Sequence, residues 1–172
     1  MRTSPRSSDG QSGEFLIYRS HVQFVSGTLG ETMNVKQVIV IRKDIKMRRG
    51  KEIAQGSHGS MAWMSEVIRN HTRDHQDSCV DYLSNGYQPI DLTPEQNEWL
   101  INGLFTKIVT QVDSEAELMS VFQAATDAGL TVHLITDAGL TEFNGVPTRT
   151  CLAIGPNKSE EIDKITGHLK LY

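Results

Sequence analysis

The stretch Val38-Ile39-Val40-Ile41, Arg42-Lys43-Asp44-Ile45-Lys46-Met47-Arg48-Arg49 and Gly50-Lys51-Glu52-Ile53-Ala54-Gln55-Gly56-Ser57-His58 decides the fold. Its first four residues are apolar without alternation, which suits a central strand covered on both faces rather than a strand with one wet side. The basic residues break that run, and the spacing after Gly50 predicts a helix from Lys51 to about Arg69. Ile53, Ser57, Met61, Met64 and Ile68 recur at helical intervals and are expected to form its buried stripe. Gly56 and Gly59 each weaken a helix by about 1 kcal/mol relative to Ala. They are read as points of close backbone packing or ligand approach.

Further along, Pro94 to Leu100 predicts a short helix capped by Thr93 or Asp91. Leu104 to Thr110 predicts a strand, and Ser114 with Glu117 forms a capping box for a helix that ends at Gly129. Leu118, Val121, Phe122 and Ala125 give this helix its apolar face. Thr131 to Ile135 and Arg149 to Ile154 predict two more strands, and Ser159 to about Thr166 a last helix. Such an order is that of an α/β protein, with helices on both faces of a mostly parallel sheet.

Between Lys36 and Lys51 the chain carries seven Lys or Arg and one acid, Asp44, although its net charge is -4. A local excess of that size marks one face for a polyanion. Beside it, Lys51, Gln55 and His58 fall at positions i, i+4 and i+7, placing an ammonium, an amide and an imidazole along one helical ridge. An ammonium offsets phosphate or oxyanion charge, an imidazole moves protons near neutral pH, and an amide orients substrate or water. Read alone, the same ridge fits a solvated helix start. A second polar group, Thr136-Asp137-Ala138-Gly139-Leu140-Thr141, lies beyond a strand end, where open α/β sheets place ligands. Asp137 there suits either a functional carboxylate or an ordinary turn. Thr148 and Thr150 flank Arg149 at the start of the following strand.

The 172 residues suit one globular domain. Residues 1–32, rich in Ser, Gly and Thr, read as a flexible N-terminal extension ahead of a domain spanning 33–172. From Asp74 to Glu98 there are six acids and no Lys or Arg, within an acidic insert near 73–98. Cys79 and Cys151 form no Cys-x-x-Cys pair and no disulfide framework, which favours a reducing compartment. No apolar run is long enough to span a bilayer, so a cytoplasmic protein without a membrane partner is expected. Neither Gly-x-Gly-x-x-Gly nor Gly-x-x-x-x-Gly-Lys-Ser/Thr occurs, which leaves dinucleotide and nucleoside triphosphate cofactors unsupported.

From about Met33 to Tyr172 the chain resembles the second class of peptidyl-tRNA hydrolases, the archaeal and eukaryotic type. The resemblance rests on Val38 to Met47, Gly50-Lys51, Ala54-Gln55, Ser57-His58, Leu134 to Thr141, Thr150, Ala153-Ile154-Gly155-Pro156 and Ile162 to Leu171. It implies a three-layer α/β/α sandwich with a four-stranded mixed sheet, commonly a homodimer, which cleaves the ester between peptide and tRNA without a metal or cofactor. It places the family's catalytic positions on Lys51, His58, Asp137 and Thr150, with Gln55 nearby to bind substrate. Thr150 is preferred over Thr148 by this resemblance alone. With peptidyl-tRNA as substrate, Arg42, Lys43, Lys46, Arg48 and Arg49 are expected to bind phosphate. Gly56 and Gly59 depart from the family, which commonly has Cys and Ala there.

Three other readings stand beside the enzyme. The same basic strip would serve a non-catalytic protein binding a tRNA acceptor stem or another RNA. Leu169, Leu171 and Tyr172 would serve a purely structural dimer. His71 and His75, four apart, with Asp77 or Cys79, would serve a zinc site, although the spacing is not His-Glu-x-x-His.

Overall fold

The computed structural model describes residues 33–74 and 90–172. The expected N-terminal extension, and residues 75–89 of the expected acidic insert, lie outside the described residues. The elements run β1 (Val35–Arg42), α1 (Arg49–Asp74), α2 (Pro94–Asn97), β2 (Lys107–Val112), α3 (Glu115–Asp127), β3 (Val132–Asp137), β4 (Thr148–Lys158), α4 (Ser159–Thr166) and β5 (Lys170–Leu171). A single π-helical turn, Glu98–Asn102, prolongs α2.

Every residue of β1 is buried, among them the unbroken apolar run Val38 to Ile41. Val38 and Val40 point into a core with Leu118, Val121, Ala125, Leu152, Ile154 and Ile162. Ile39 and Ile41 point the other way, into a smaller cluster with Met47, Cys151 and Ala153. Cover on both faces favours apolar residues at successive positions, as at Val38 to Ile41, each contributing roughly 1.5–3 kcal/mol. Lys36, Gln37 and Arg42 of the same strand are buried polar side chains. Helix α1 lies over one face of the sheet, and α3 and α4 lie over the other.

The sheet has five strands in the order β3-β4-β1-β2-β5, where the resemblance implies four. The additional strand is the pair Lys170–Leu171, antiparallel to the edge strand β2 through Gln111↔Lys170 and Thr110↔Leu171. Two residues are too few to show any alternation, so pairing in the folded sheet is what makes them a strand. Only β1 and β2 run parallel, and the pairs β1–β4 and β3–β4 are antiparallel. The expected mostly parallel sheet is therefore a mixed one with a single parallel pair. The cause is the connection after Asp137, a short hairpin link that returns the chain antiparallel as β4. Because β1 and β3 both oppose β4, their carboxyl ends still lie at one edge of the sheet.

The stripe expected to bury α1 faces outward. Ile53 is 64% exposed and Met61 53%, Ser57 and Ile68 are exposed, and Met64 is half-buried. Gln55, Gly59 and Trp63 are the buried positions instead. At Gly59 an added Cβ would lie 3.4 Å from the Ala153 Cβ and 3.8 Å from the Cys151 Sγ, so glycine lets the helix sit low on the sheet. No atom approaches Gly56 in the same way among the described residues. The middle of α1 is anchored by Trp63, whose ring meets that of Trp99 edge-on at 6.0 Å.

Other local signals form as expected. Thr93 and Gln96 make a complete capping box at α2. At α3 the Ser114 hydroxyl accepts from the Glu117 N–H, while the Glu117 carboxylate accepts from the Asp113 N–H. Gly129, with φ of 68°, ends the helix in the left-handed region.

Candidate active site

At the carboxyl edge of β1 and β3, the first turns of α1 meet the last residue of β3 and the opening of β4. Arg48 accepts the first helical hydrogen bonds of α1 through its carbonyl, from the Lys51 and Glu52 N–H groups. Lys51 therefore projects from the first turn, and Gln55 from the second. The Lys51 Nζ donates to the Asp137 Oδ2 at 2.5 Å and to the Thr141 Oγ1 at 3.3 Å. The Gln55 Nε2 donates to the same Asp137 oxygen at 2.9 Å, and the Gln55 Oε1 accepts from the Thr150 hydroxyl at 2.6 Å. The Gly139 N–H donates to the other carboxylate oxygen, Oδ1, at 2.9 Å.

The result is a chain of groups, ammonium, carboxylate, amide and hydroxyl, in which each polar atom has a partner. Gln55 is 2% exposed and Thr150 is 0% exposed, whereas Lys51 and Asp137 each keep 14% of their side-chain surface in solvent. The Lys51 ammonium holds the Asp137 carboxyl below its ordinary pKa against the opposing effect of desolvation, with further help from the Gly139 N–H and the Gln55 amide. An ammonium has three N–H donors, and the bonds to Asp137 and Thr141 leave one for a substrate.

His58 is exposed and makes no hydrogen bond or ion pair with this network among the described residues. Of the predicted catalytic residues, Lys51, Asp137 and Thr150 thus come together, joined by Gln55. His58 stands one helical turn beyond Gln55 and open to solvent.

The predicted phosphate contacts divide. Arg42 is buried, with its guanidinium given to Asp44, Glu115 and the Arg149 carbonyl. It ties the end of β1 to α3 and β4. Lys43 lies over the Tyr172 ring at 4.4 Å. The exposed Arg48 pairs with Glu142 at 2.6 Å. Lys46 and Arg49 are exposed and take part in no ion pair among the described residues.

Residues 138–147 form the link between β3 and β4 and close on Gly139, whose carbonyl accepts from the Gly145 N–H at 2.9 Å. Gly139 has φ of 80°, and a Cβ there would fall 2.3 Å from the Val146 carbonyl oxygen. Only glycine fits that closure. Two residues of this link, Glu142 and Phe143, were not singled out by sequence reasoning. Phe143 packs into the Ile39–Cys151 cluster, and Lys51 lies 5.8 Å from its ring. A signal for Glu142 existed, since it is the sole acid between Asp137 and Arg149 and faces a chain segment rich in cations.

Of the proposed zinc ligands, His71 lies in α1, while His75, Asp77 and Cys79 lie outside the described residues. No group of three or more His, Cys, Asp or Glu arranged to hold a metal occurs among the described residues. Cys151 is a free, buried thiol whose pKa desolvation pushes up to about 11, which makes it a poor nucleophile. Among the described residues no helix is long and apolar enough to cross a membrane.

The α/β/α sandwich thus gathers an ammonium, a carboxylate, an amide and a hydroxyl near the carboxyl ends of its strands, where open α/β sheets place ligands, beside a cationic rim. Residues 35–172 match the family Peptidyl-tRNA hydrolase PTH2, and the chain belongs to that family. It is 39% identical over 137 residues to the peptidyl-tRNA hydrolase of Methanocaldococcus jannaschii, covering 80% of this chain and 99% of that one. It is 36% identical over 137 residues to that of Methanothermobacter thermautotrophicus, with the same coverage of 80% and 99%. The mitochondrial peptidyl-tRNA hydrolase 2 of Bos taurus is 36% identical over 145 residues, covering 84% of this chain and 68% of that protein.

Proposed function

We propose how this site performs the family's reaction. The protein is an enzyme that hydrolyses peptidyl-tRNA, freeing peptide and tRNA. In our reading, water attacks the ester carbonyl, and the Lys51 ammonium uses its remaining N–H to offset charge on the developing oxyanion. Asp137 holds Lys51 in place. Its oxygens accept three donors and its pKa is lowered, so it is better suited to anchoring than to taking a proton. His58, the exposed imidazole of the same helix, relays a proton from water or to the departing ribose oxygen. Thr150 is buried and acts through Gln55, to whose amide oxygen its hydroxyl donates.

The observation that carries this reading is the Lys51–Asp137 pair, partly open to solvent and backed by the Gln55 amide and, behind it, the Thr150 hydroxyl. Single-turnover cleavage by His58→Ala and Asp137→Ala tests it, with binding of a non-hydrolysable analogue measured in parallel. Cleavage is expected to fall by about 10²-fold or more while binding changes far less. Near-normal cleavage by His58→Ala would remove the proton relay.

Binding without chemistry gains no support from the relatives, whose names are those of hydrolases. For phosphate contacts, Lys46 and Arg49 are the rim cations without an ion pair among the described residues, with Arg48 held at the edge by Glu142. We further propose a homodimer that acts in the cytoplasm, built on a domain spanning 33–172. What supports pairing is an apolar groove of ≈ 600 Å³ beside α1, lined by Ile39, Ile41, Ile53, Met61, Phe105 and Val109, with Tyr172 at its end. A buried free thiol at Cys151 accords with a reducing compartment.

A further inference from the structure

We propose that Glu142 is a positioning residue of the hydrolase, which clamps the β3–β4 link to the start of α1 so that Asp137 and Lys51 meet. The inference rests on the site reading given above and extends it to a residue outside the bonded network.

Glu142 makes two bonds to one residue. Its Oε1 accepts from the Arg48 Nε at 2.6 Å, and its Oε2 accepts from the Arg48 backbone N–H at 3.1 Å. The Glu142 side chain is 10% exposed while that of Arg48 is 79% exposed, so the carboxylate is inside the contact and the guanidinium is laid over it. Arg48 is the residue whose carbonyl starts α1, and its own N–H is the one that a capping box would satisfy from three residues onward. Here Glu142 satisfies it from 94 positions away. A carboxylate at that end also suits the positive end of the helix.

The clamp bears on the reaction because both bodies it joins carry half of the site. Lys51 and Gln55 ride on α1, three and seven residues after Arg48. Asp137, Gly139 and Thr141 ride on the last residue of β3 and its link, whose closure on Gly139 makes residues 139–146 one compact unit. Fixing Glu142 to Arg48 therefore fixes the spacing between the ammonium and the carboxylate. A misplacement of about 1 Å at that pair is costly to the chemical step.

The test uses the full chain with Glu142 changed to Ala, Gln and Asp, each checked for folding by circular dichroism. Gln keeps an oxygen for the Arg48 N–H, whereas Asp keeps the charge but is one methylene short. Glu142→Ala and Glu142→Asp are expected to lower kcat on peptidyl-tRNA by about 10-fold or more with KM within about twofold, and Glu142→Gln to recover most of the loss. Amide exchange at Gly139, whose N–H is held by Asp137, should quicken in the Ala and Asp variants and not in Gln. A kcat for Glu142→Ala near that of the parent, or a loss carried by KM alone, overturns the proposal. Should Glu142→Ala fail to fold, the Gln and Asp variants decide by the same criteria. Asp137→Asn serves as the control: if it cleaves normally, the site reading itself falls, whereas its loss beside an unaffected Glu142→Ala overturns the clamp alone.

Discussion

The Thr150 hydroxyl lies 2.6 Å from the Gln55 Oε1, and both side chains are closed to solvent. An amide can turn end for end; the Asp137 carboxylate, which only accepts, draws its NH₂, and the Thr150 hydroxyl completes that orientation by donating to its oxygen. Gln55 is thereby made to present its NH₂ to Asp137. Thr150→Val, which keeps the shape and removes the donor, is expected to lower kcat by about 10-fold with little change in KM, while Thr150→Ser stays near the parent. Steady-state kinetics on folded variants checks this, and a Val variant as fast as Ser would show that the hydroxyl orients nothing.

Cations of the basic run should separate by their partners. Lys46→Ala and Arg49→Ala are expected to weaken tRNA binding and to reduce the slope of log affinity against log salt by about 0.7–0.9 for each phosphate that is no longer neutralised. Arg42→Ala should instead lower thermal stability, because Asp44 loses its cation and Glu115 keeps only Arg149. Binding titrations at several salt concentrations, set beside melting curves, distinguish the two groups.

Asp137 has its folded-state pKa lowered, chiefly by Lys51. A depressed carboxyl adds stability at pH above its unfolded value of about 3.9, and that contribution is lost as pH falls through the folded value. The stability gap between the parent and Asp137→Asn should accordingly be steady from about pH 5 to 8 and narrow below about pH 4. Urea midpoints across that range would show it. A gap that widens on acidification would mean that folding raises the Asp137 pKa rather than lowering it.

Light scattering over a wide concentration range tests the dimer. Ile53→Asp and Met61→Asp, at exposed apolar positions of the groove, should yield monomers without unfolding the chain. A parent that stays at monomer mass removes the dimer, and a dimer that survives both changes places the contact elsewhere.

The sequence carried much of this architecture where a local rule decides the outcome. Val38 to Ile41 announce a doubly covered strand, Ser114 and Gly129 bracket α3, and the Lys51–Gln55 spacing and Asp137 point to side chains that the fold brings together. It misled where tertiary contact overrides periodicity. The apolar stripe of α1 was read onto Ile53 and Met61, yet the helix buries Gln55 and Gly59 because the network and the close approach to Ala153 lie on that side. Strand β5 exists only through its pairing with β2, and Arg42 looked like a phosphate ligand because Glu115, 73 positions on, is invisible to local reading.

Sequence separation within the site has its own consequence for how activity is acquired. Lys51 and Asp137 are 86 positions apart, and Gln55 and Thr150 are 95 apart, so no contiguous segment of the chain holds a working half of the chemistry. Helix α1 can form early from local contacts, but the β3–β4 hairpin must close a long loop to reach it. Catalysis therefore waits on that long-range closure. During refolding, cleavage should return later than helical signal, and an interrupted chain would be inert however helical it is.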